Sequence, residues 1–207
     1  MTILINSPKA VFVHVPKNAG TSISHWLRVH LDCDNVKRKH DTYEVIKQRY
    51  GNDLGFSFAV VRNPWDRVVS AFHFNKKLYA SGKYDNISEK IDARKNGKVK
   101  QKHIGIYKQK QIIDKDDFEL FVKSRMLSPV EVPQVKMCDG VDLILRYENL
   151  EEEFKQIQDF FGIEKSLPFK NISSHNNYTE YYNHETRQIV YDYYKEDITT
   201  FKYKFEG

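Results

Sequence analysis

The sequence predicts an α/β protein, a single domain over residues 1–207 built on a central parallel sheet with helices on both faces. Three observations carry that expectation. Runs of β-branched and aromatic residues at 10–15 (AVFVHV), 55–61 (GFSFAVV) and 141–147 (VDLILRY) read as buried strands. Stretches with helical apolar spacing lie between and after them. No tight hairpin signal joins two of the strands, and strands linked by helices pair in parallel.

Taken in order, the first strand is bounded by Pro8 and Pro16, and Ile23, Trp26, Leu27 and Leu31 then form a helical stripe. Residues 41–51 read as a short helix with Asp41 or Thr42 as N-cap and Gly51 as stop. After the second strand, Asn63 is a suitable N-cap and Pro64 sits at the tolerated first position of a helix running to about residue 79. Residues 82–113 hold Gly, Asn and Lys without strong periodicity and predict a long loop or lid. A helix follows at 114–126. The third strand leads into a helix capped by Asn149, with Glu152 at the capping-box position and Gly162 as stop. One amphipathic helix over 183–201 closes the chain.

At 207 residues the chain is long enough to bury a sizeable core, and 40% hydrophobic content argues against disorder. Cys33 and Cys138 give no disulfide framework, which fits a reducing compartment. No apolar run reaches the length of a membrane span. The N-terminus lacks the basic region and cleavage site of a signal peptide, so a cytoplasmic protein is expected. The formal net charge is +5. Residues 94–110 contribute one arginine, six lysines and no acid, a local +7 that leaves the remainder at −2. Such a segment suits a polyanionic ligand or a solvated loop equally.

In an open sheet, ligands sit beyond the carboxyl ends of the strands, and two motifs fall at that edge. The first, VPKNAGTS, ends a strand at Val15, stiffens the exit with Pro16, turns at Gly20 and opens a helix near Thr21. Free amides at the helix start, hydroxyls of Thr21 and Ser22 and the cation of Lys17 make an anion site. A Walker A loop places its lysine directly before the helix-opening hydroxyl, whereas Lys17 precedes Gly20 by three residues. The second motif, RNPWDRVVSAF, has Arg62 at a strand end and Ser70 two turns into the following helix. The pair converges on one anion only if Arg62 folds back along that helix; an arginine fork and a serine donor then suit a phosphate. The plainer alternative leaves Arg62 and Arg67 facing solvent.

VFVHVPKNAGTS followed by FAVVRNPWDRVVSAF resembles the sulfotransferases that use 3′-phosphoadenosine 5′-phosphosulfate (PAPS), and more narrowly their carbohydrate and glycosaminoglycan branch with its short bacterial relatives. The likeness extends over 133–157 and 178–205, nearly the whole chain except the basic stretch. The resemblance implies a three-layer α/β/α sandwich similar to P-loop nucleoside triphosphate hydrolases and kinases. It implies that Pro16, Lys17, Asn18, Ala19, Gly20, Thr21 and Ser22 form the 5′-phosphosulfate loop, with Lys17 on the bridging oxygen. It assigns the 3′-phosphate to Arg62 and Ser70, and adenosine 3′,5′-bisphosphate would be the product. The acceptor would be a hydroxyl, on a saccharide or glycoconjugate.

A general base suits histidine at neutral pH, and His40, between the two motifs, is the candidate; related enzymes carry a histidine in this interval. His14 reads as structural, and His25, His30 and His73 lie in helices. No metal is expected, since the eight histidines lack zinc-site spacing. Gln134 and Asn171 match recurring positions that contact acceptor or nucleotide, Trp65 fits core packing or an adenine neighbour, and Arg146 fits a contact or a strand-end support. Two alternatives stand beside this reading. A small-molecule kinase needs an acid after a strand, and Asp142 begins one instead. A non-catalytic polyanion binder would use the 94–110 lysines, but no nucleic-acid module accompanies them, and nucleic acid is not an expected partner.

Overall fold

The computed structural model describes residues 1–36, 40–86, 101–125, 127–168 and 176–206. Its centre is a mixed five-stranded sheet formed by β1 (Ile3–Asn6), β2 (Lys9–Val13), β3 (Cys33–Asn35), β4 (Phe56–Val61) and β5 (Leu143–Arg146), in the order β3-β1-β2-β4-β5. β2, β4 and β5 are parallel, with Val13 beside Ala59 and Val61 beside Arg146. These are the three strands legible in the sequence. The wholly parallel sheet is corrected by β1, which pairs antiparallel with both β2 and β3. The hairpin between β1 and β2 turns on Ser7 and Pro8, which lack the glycine or asparagine that marks two-residue turns.

Alternate residues of the parallel strands face opposite ways, as a pleat requires. Phe12, Phe58, Val60 and Leu145 pack with Ile23, Trp26 and Leu27 of α1 (Gly20–His30) and with the segments α7 (Leu150–Glu153) and α8 (Lys155–Phe161). Val11, Val13, Ala59 and Val61 face the other way, against Tyr43 and Ile46 of α2 (Tyr43–Tyr50) and Met137 and Cys138 of α6 (Gln134–Cys138). Helices thus cover both faces of the sheet. A third apolar cluster contains no strand residue: α3 (Pro64–Ala80), α4 (Gln101–Asp114), α5 (Phe118–Lys123) and α9 (His184–Tyr193) meet through Phe72, Ile113, Phe121 and Val190, joined by Leu127 and Val130. Among the described residues no helix is long and apolar enough to cross a membrane.

Caps follow the sequence in part. Thr42 Oγ1 accepts from Val45 N, Gly51 ends α2, Asn63 Oδ1 accepts from Trp65 N, and Gly162 ends α8 in the left-handed region. Asn149 makes no side-chain cap, because the 3₁₀ turn Tyr147–Asn149 runs directly into α7. Residues 101–114 are helical where a loop is expected. Their inward positions are Ile106, Gln109 and Ile113, and the glutamine hides the apolar spacing. Gln109 is satisfied in the interior, accepting from Tyr79 Oη and donating to Ser128 O. The closing helix is two, α9 and α10 (Lys195–Thr200), split at buried Tyr194, whose hydroxyl donates to Val130 O at 2.6 Å.

Candidate active site

β2 carries the chain to Pro16 at the carboxyl edge of the sheet, and α1 leaves from Gly20. Between them Lys17 and Ala19 take left-handed conformations, φ 72° and 57°, each costing a residue with a Cβ on the order of 1–3 kcal/mol. Strain of this kind persists only where neighbours impose it, and the second motif grips the loop at Pro16 and Lys17. Arg67 Nε donates to Pro16 O at 3.1 Å, and Arg62 Nη1 donates to Lys17 O at 3.1 Å. Asn18 turns its side chain inward, its amide donating to Val60 O and to Gln134 Oε1, both at 2.7 Å.

The start of α1 is left open. Ala19 supplies no side-chain cap, and the first turn holds no acid. Its opening amides and dipole therefore favour an anion. Thr21 is exposed there, while Ser22 is buried.

Lys17 Nζ lies 4.3 Å from the centre of the Phe74 ring, a cation–π contact that aims the ammonium along α3. Phe74 is one turn beyond Ser70, on the same face of that helix. Ser70 is 3% exposed. Arg62, 5% exposed, stacks on Tyr147 with its guanidinium carbon 4.0 Å from the ring centre, and its Nε donates to Asp66 Oδ2 at 2.7 Å. Arg62 does turn back along the first turn of α3. Neither Arg62 nor Arg67 is the solvent-facing side chain of the plainer reading: Arg67 is 1% exposed, and burial pushes its pKa down.

His40 is exposed, and its Nδ1 lies 3.4 Å from His14 O. A carbonyl only accepts, so this contact favours the proton on Nδ1 and leaves Nε2 as the acceptor. Thr42 caps α2 and Asp41 pairs with Arg49, so both neighbours of the base candidate are held. His14, expected from the sequence to be structural, is buried and packs at the heart of the site. Its ring is 4.8 Å from that of His40 and lies against Gly20, where a Cβ would meet Cδ2 and Nε2 at 1.9 Å. The strand end, the loop and the base candidate therefore share one imidazole. The signal in the sequence was its place, two residues before the proline.

Gln134 is fully buried and joins the two motifs. Its Oε1 accepts from Asn18 Nδ2 and from Arg62 N, and its Nε2 donates to Arg62 O at 2.8 Å. It positions the site and has no face for an acceptor or nucleotide, contrary to the sequence expectation. Asp197 supports it from α10, accepting from the amides of Gln134 and Val135 at 2.8 and 2.9 Å. Trp65 is core packing, its indole N–H donating to Arg187 O. Arg146 supports the strand end through Phe201 O and Tyr203. Asn171 and residues 94–100 lie outside the described residues.

A scan against family models matches the sulfotransferase family over residues 2–204. The chain belongs to the sulfotransferase family. Curated proteins and solved structures return no match. In this sulfotransferase Cys33 and Cys138 form no disulfide, and burial pushes their thiols up to about 11 and about 12, which disfavours the thiolate at neutral pH. Among the described residues no cluster of His, Cys, Asp or Glu could hold a metal ion. Asp142 is committed elsewhere, accepting from the Ser57 amide and hydroxyl at the opposite edge of the sheet.

Proposed function

We propose that this sulfotransferase moves the sulfuryl group of PAPS to an acceptor hydroxyl on a carbohydrate. The observation that carries the reading is the meeting of its two motifs at Lys17. The lysine ammonium lies on Phe74, one turn from Ser70, while the lysine carbonyl takes the guanidinium of Arg62. The residues assigned to opposite ends of one donor thus converge on one face of α3. The open start of α1, with two left-handed residues before it, suits the 5′-phosphate.

In the reaction the acceptor oxygen bonds to sulfur while the bond from sulfur to the nucleotide phosphate oxygen breaks. His40 Nε2 takes the hydroxyl proton, and His14 O holds Nδ1 for that role. Lys17 and the amides of the loop stabilise the negative charge gathering on the departing phosphate oxygen. Arg62 and Ser70 hold the 3′-phosphate; Asp66 orients the guanidinium through Nε and leaves Nη2 for the ligand. Lys17 stands where a donor with one phosphate before its sulfuryl group needs a cation, which accounts for its departure from the Walker position.

Calorimetry with adenosine 3′,5′-bisphosphate tests the donor. Saturable binding at micromolar concentration is expected, and no heat at millimolar ligand with folded protein sinks the assignment. Radiolabelled PAPS offered with saccharides, lipids and simple alcohols then reads the acceptor class.

A further inference from the structure

A second cleft lies away from the loop. It has a volume of about 650 Å³ and opens between α9 and the C-terminal stretch 203–206, with Trp65 in its floor. Trp65 is five residues before Ser70, which places it about 140° around α3 from the face that receives Lys17. The cleft is therefore not the donor site.

Its walls are unusual for a packing face. His184, Arg187, Gln188 and Tyr191 line it at helical spacing i, i+3, i+4 and i+7, yet the first three are polar and exposed. A helix stripe turned to a concavity is apolar when it serves the core. Opposite stands Lys204, and neither it nor Arg187 makes an ion pair with a described residue. Among the described residues Glu206 is the one acid lining the cleft, against Arg187, Lys204 and His184. Aromatic surface completes it: Tyr191 stacks on Trp65 at 26°, and the Arg187 guanidinium carbon lies 4.5 Å from the centre of Phe205. Fixed aromatic rings beside cations and an amide suit a ligand of apolar ring faces, hydroxyls and negative charges.

We propose that this cleft binds an anionic oligosaccharide, as an accessory site that holds an acceptor chain outside the transfer site. The proposal rests on the carbohydrate reading above for its biological sense, and on the cleft alone for its chemistry. Asn63 links the two sites. It follows Arg62, caps Trp65 N, and donates through Nδ2 to Lys204 O at 2.9 Å.

The test uses a heparin-derived hexasaccharide as probe, with neutral maltohexaose as control and adenosine 3′,5′-bisphosphate titrated separately, all by calorimetry on the full chain. The hexasaccharide is expected to bind and maltohexaose to bind at least tenfold more weakly. R187A/K204A is expected to lose at least tenfold in hexasaccharide affinity. Y191A, which removes no charge, is expected to lose at least threefold, with melting temperatures recorded for both. Nucleotide affinity should stay within twofold. No hexasaccharide binding by the unmodified chain overturns the proposal. So does binding that ignores Y191A, because general attraction to a basic protein depends on charge alone. A parallel fall in nucleotide affinity also overturns it, since the cleft would then belong to the donor site. Hexasaccharide binding without any nucleotide binding leaves the cleft standing and removes the donor assignment instead.

Discussion

The imidazole of His14 fills the space that a side chain at residue 20 would need, with a Cβ on Gly20 meeting two ring atoms at 1.9 Å. Gly20 opens α1 without a left-handed backbone, so its requirement for glycine is one of space alone. Gly20→Ala should cost about 1–3 kcal/mol through overpacking and weaken adenosine 3′,5′-bisphosphate binding more than tenfold. His14→Ala should lift that restriction. The double variant is expected to bind nucleotide as well as His14→Ala alone, measured calorimetrically. A harmless Gly20→Ala would show that the ring moves aside freely.

Lys17, His40 and Arg62 should separate in kinetics. Lys17→Ala is expected to lower kcat by about 10²–10³, the scale of a lost donor to a developing anion. His40→Ala should reduce kcat similarly while product-nucleotide affinity stays within twofold. Arg62→Ala should raise the KM for PAPS and weaken bisphosphate binding at least tenfold. Steady-state rates with labelled donor, paired with calorimetry, distinguish the three patterns.

Gln134→Ala removes a side chain that touches no proposed ligand, yet it strands Arg62 N–H and Arg62 C=O and takes one of the two bonds of the Asn18 amide, which keeps Val60 O. Each buried group left without a partner costs about 1–3 kcal/mol. The expected loss in urea unfolding is about 3–5 kcal/mol, with weakened nucleotide binding even where the variant is folded. Gln134→Glu should not rescue it, since a carboxylate cannot donate to Arg62 O.

Alkaline stability follows from buried acids that resist ionising. Burial pushes Cys138 from an ordinary 9.0 to about 12 and Tyr79 from 10.0 to about 12, and Tyr182, Tyr194 and Tyr203 also move up. Each group is protonated more tightly in the folded chain than in the unfolded one. Its stabilising contribution is therefore fully present below the unfolded pKa and lost as pH rises towards the folded value. For Cys138 the three-unit difference is on the order of 4 kcal/mol. Urea midpoints should be flat from pH 7 to 8.5 and fall steeply from pH 9 to 12.

The three parallel strands and the two motifs were legible because local chemistry specified them: β-branched runs, a proline-bounded exit, and Asn-Pro at a helix start. What escaped the sequence depends on partners far along the chain. The hairpin at Ser7 and Pro8 lacks the glycine or asparagine that marks two-residue turns, and α4 shows its inner face only once Gln109 is seen bonding to Tyr79. Gln134 resembles a ligand contact until Asn18 and Arg62 are brought to it from 116 and 72 residues away. Within the site, residue types named the chemistry, but only packing showed that Asn18 points inward and that His14 stands beside His40.

Lys17 and Ala19 take their left-handed shapes in a loop held by Arg62, Arg67 and Gln134, all residues of the chain itself. With those partners in the chain, the loop should meet the proposed nucleotide as a finished mould. Folding, not binding, bears the entropy of shaping it. Association should accordingly bring little ordering of this loop's backbone, and amide exchange at 16–20 should already be slow in the free protein.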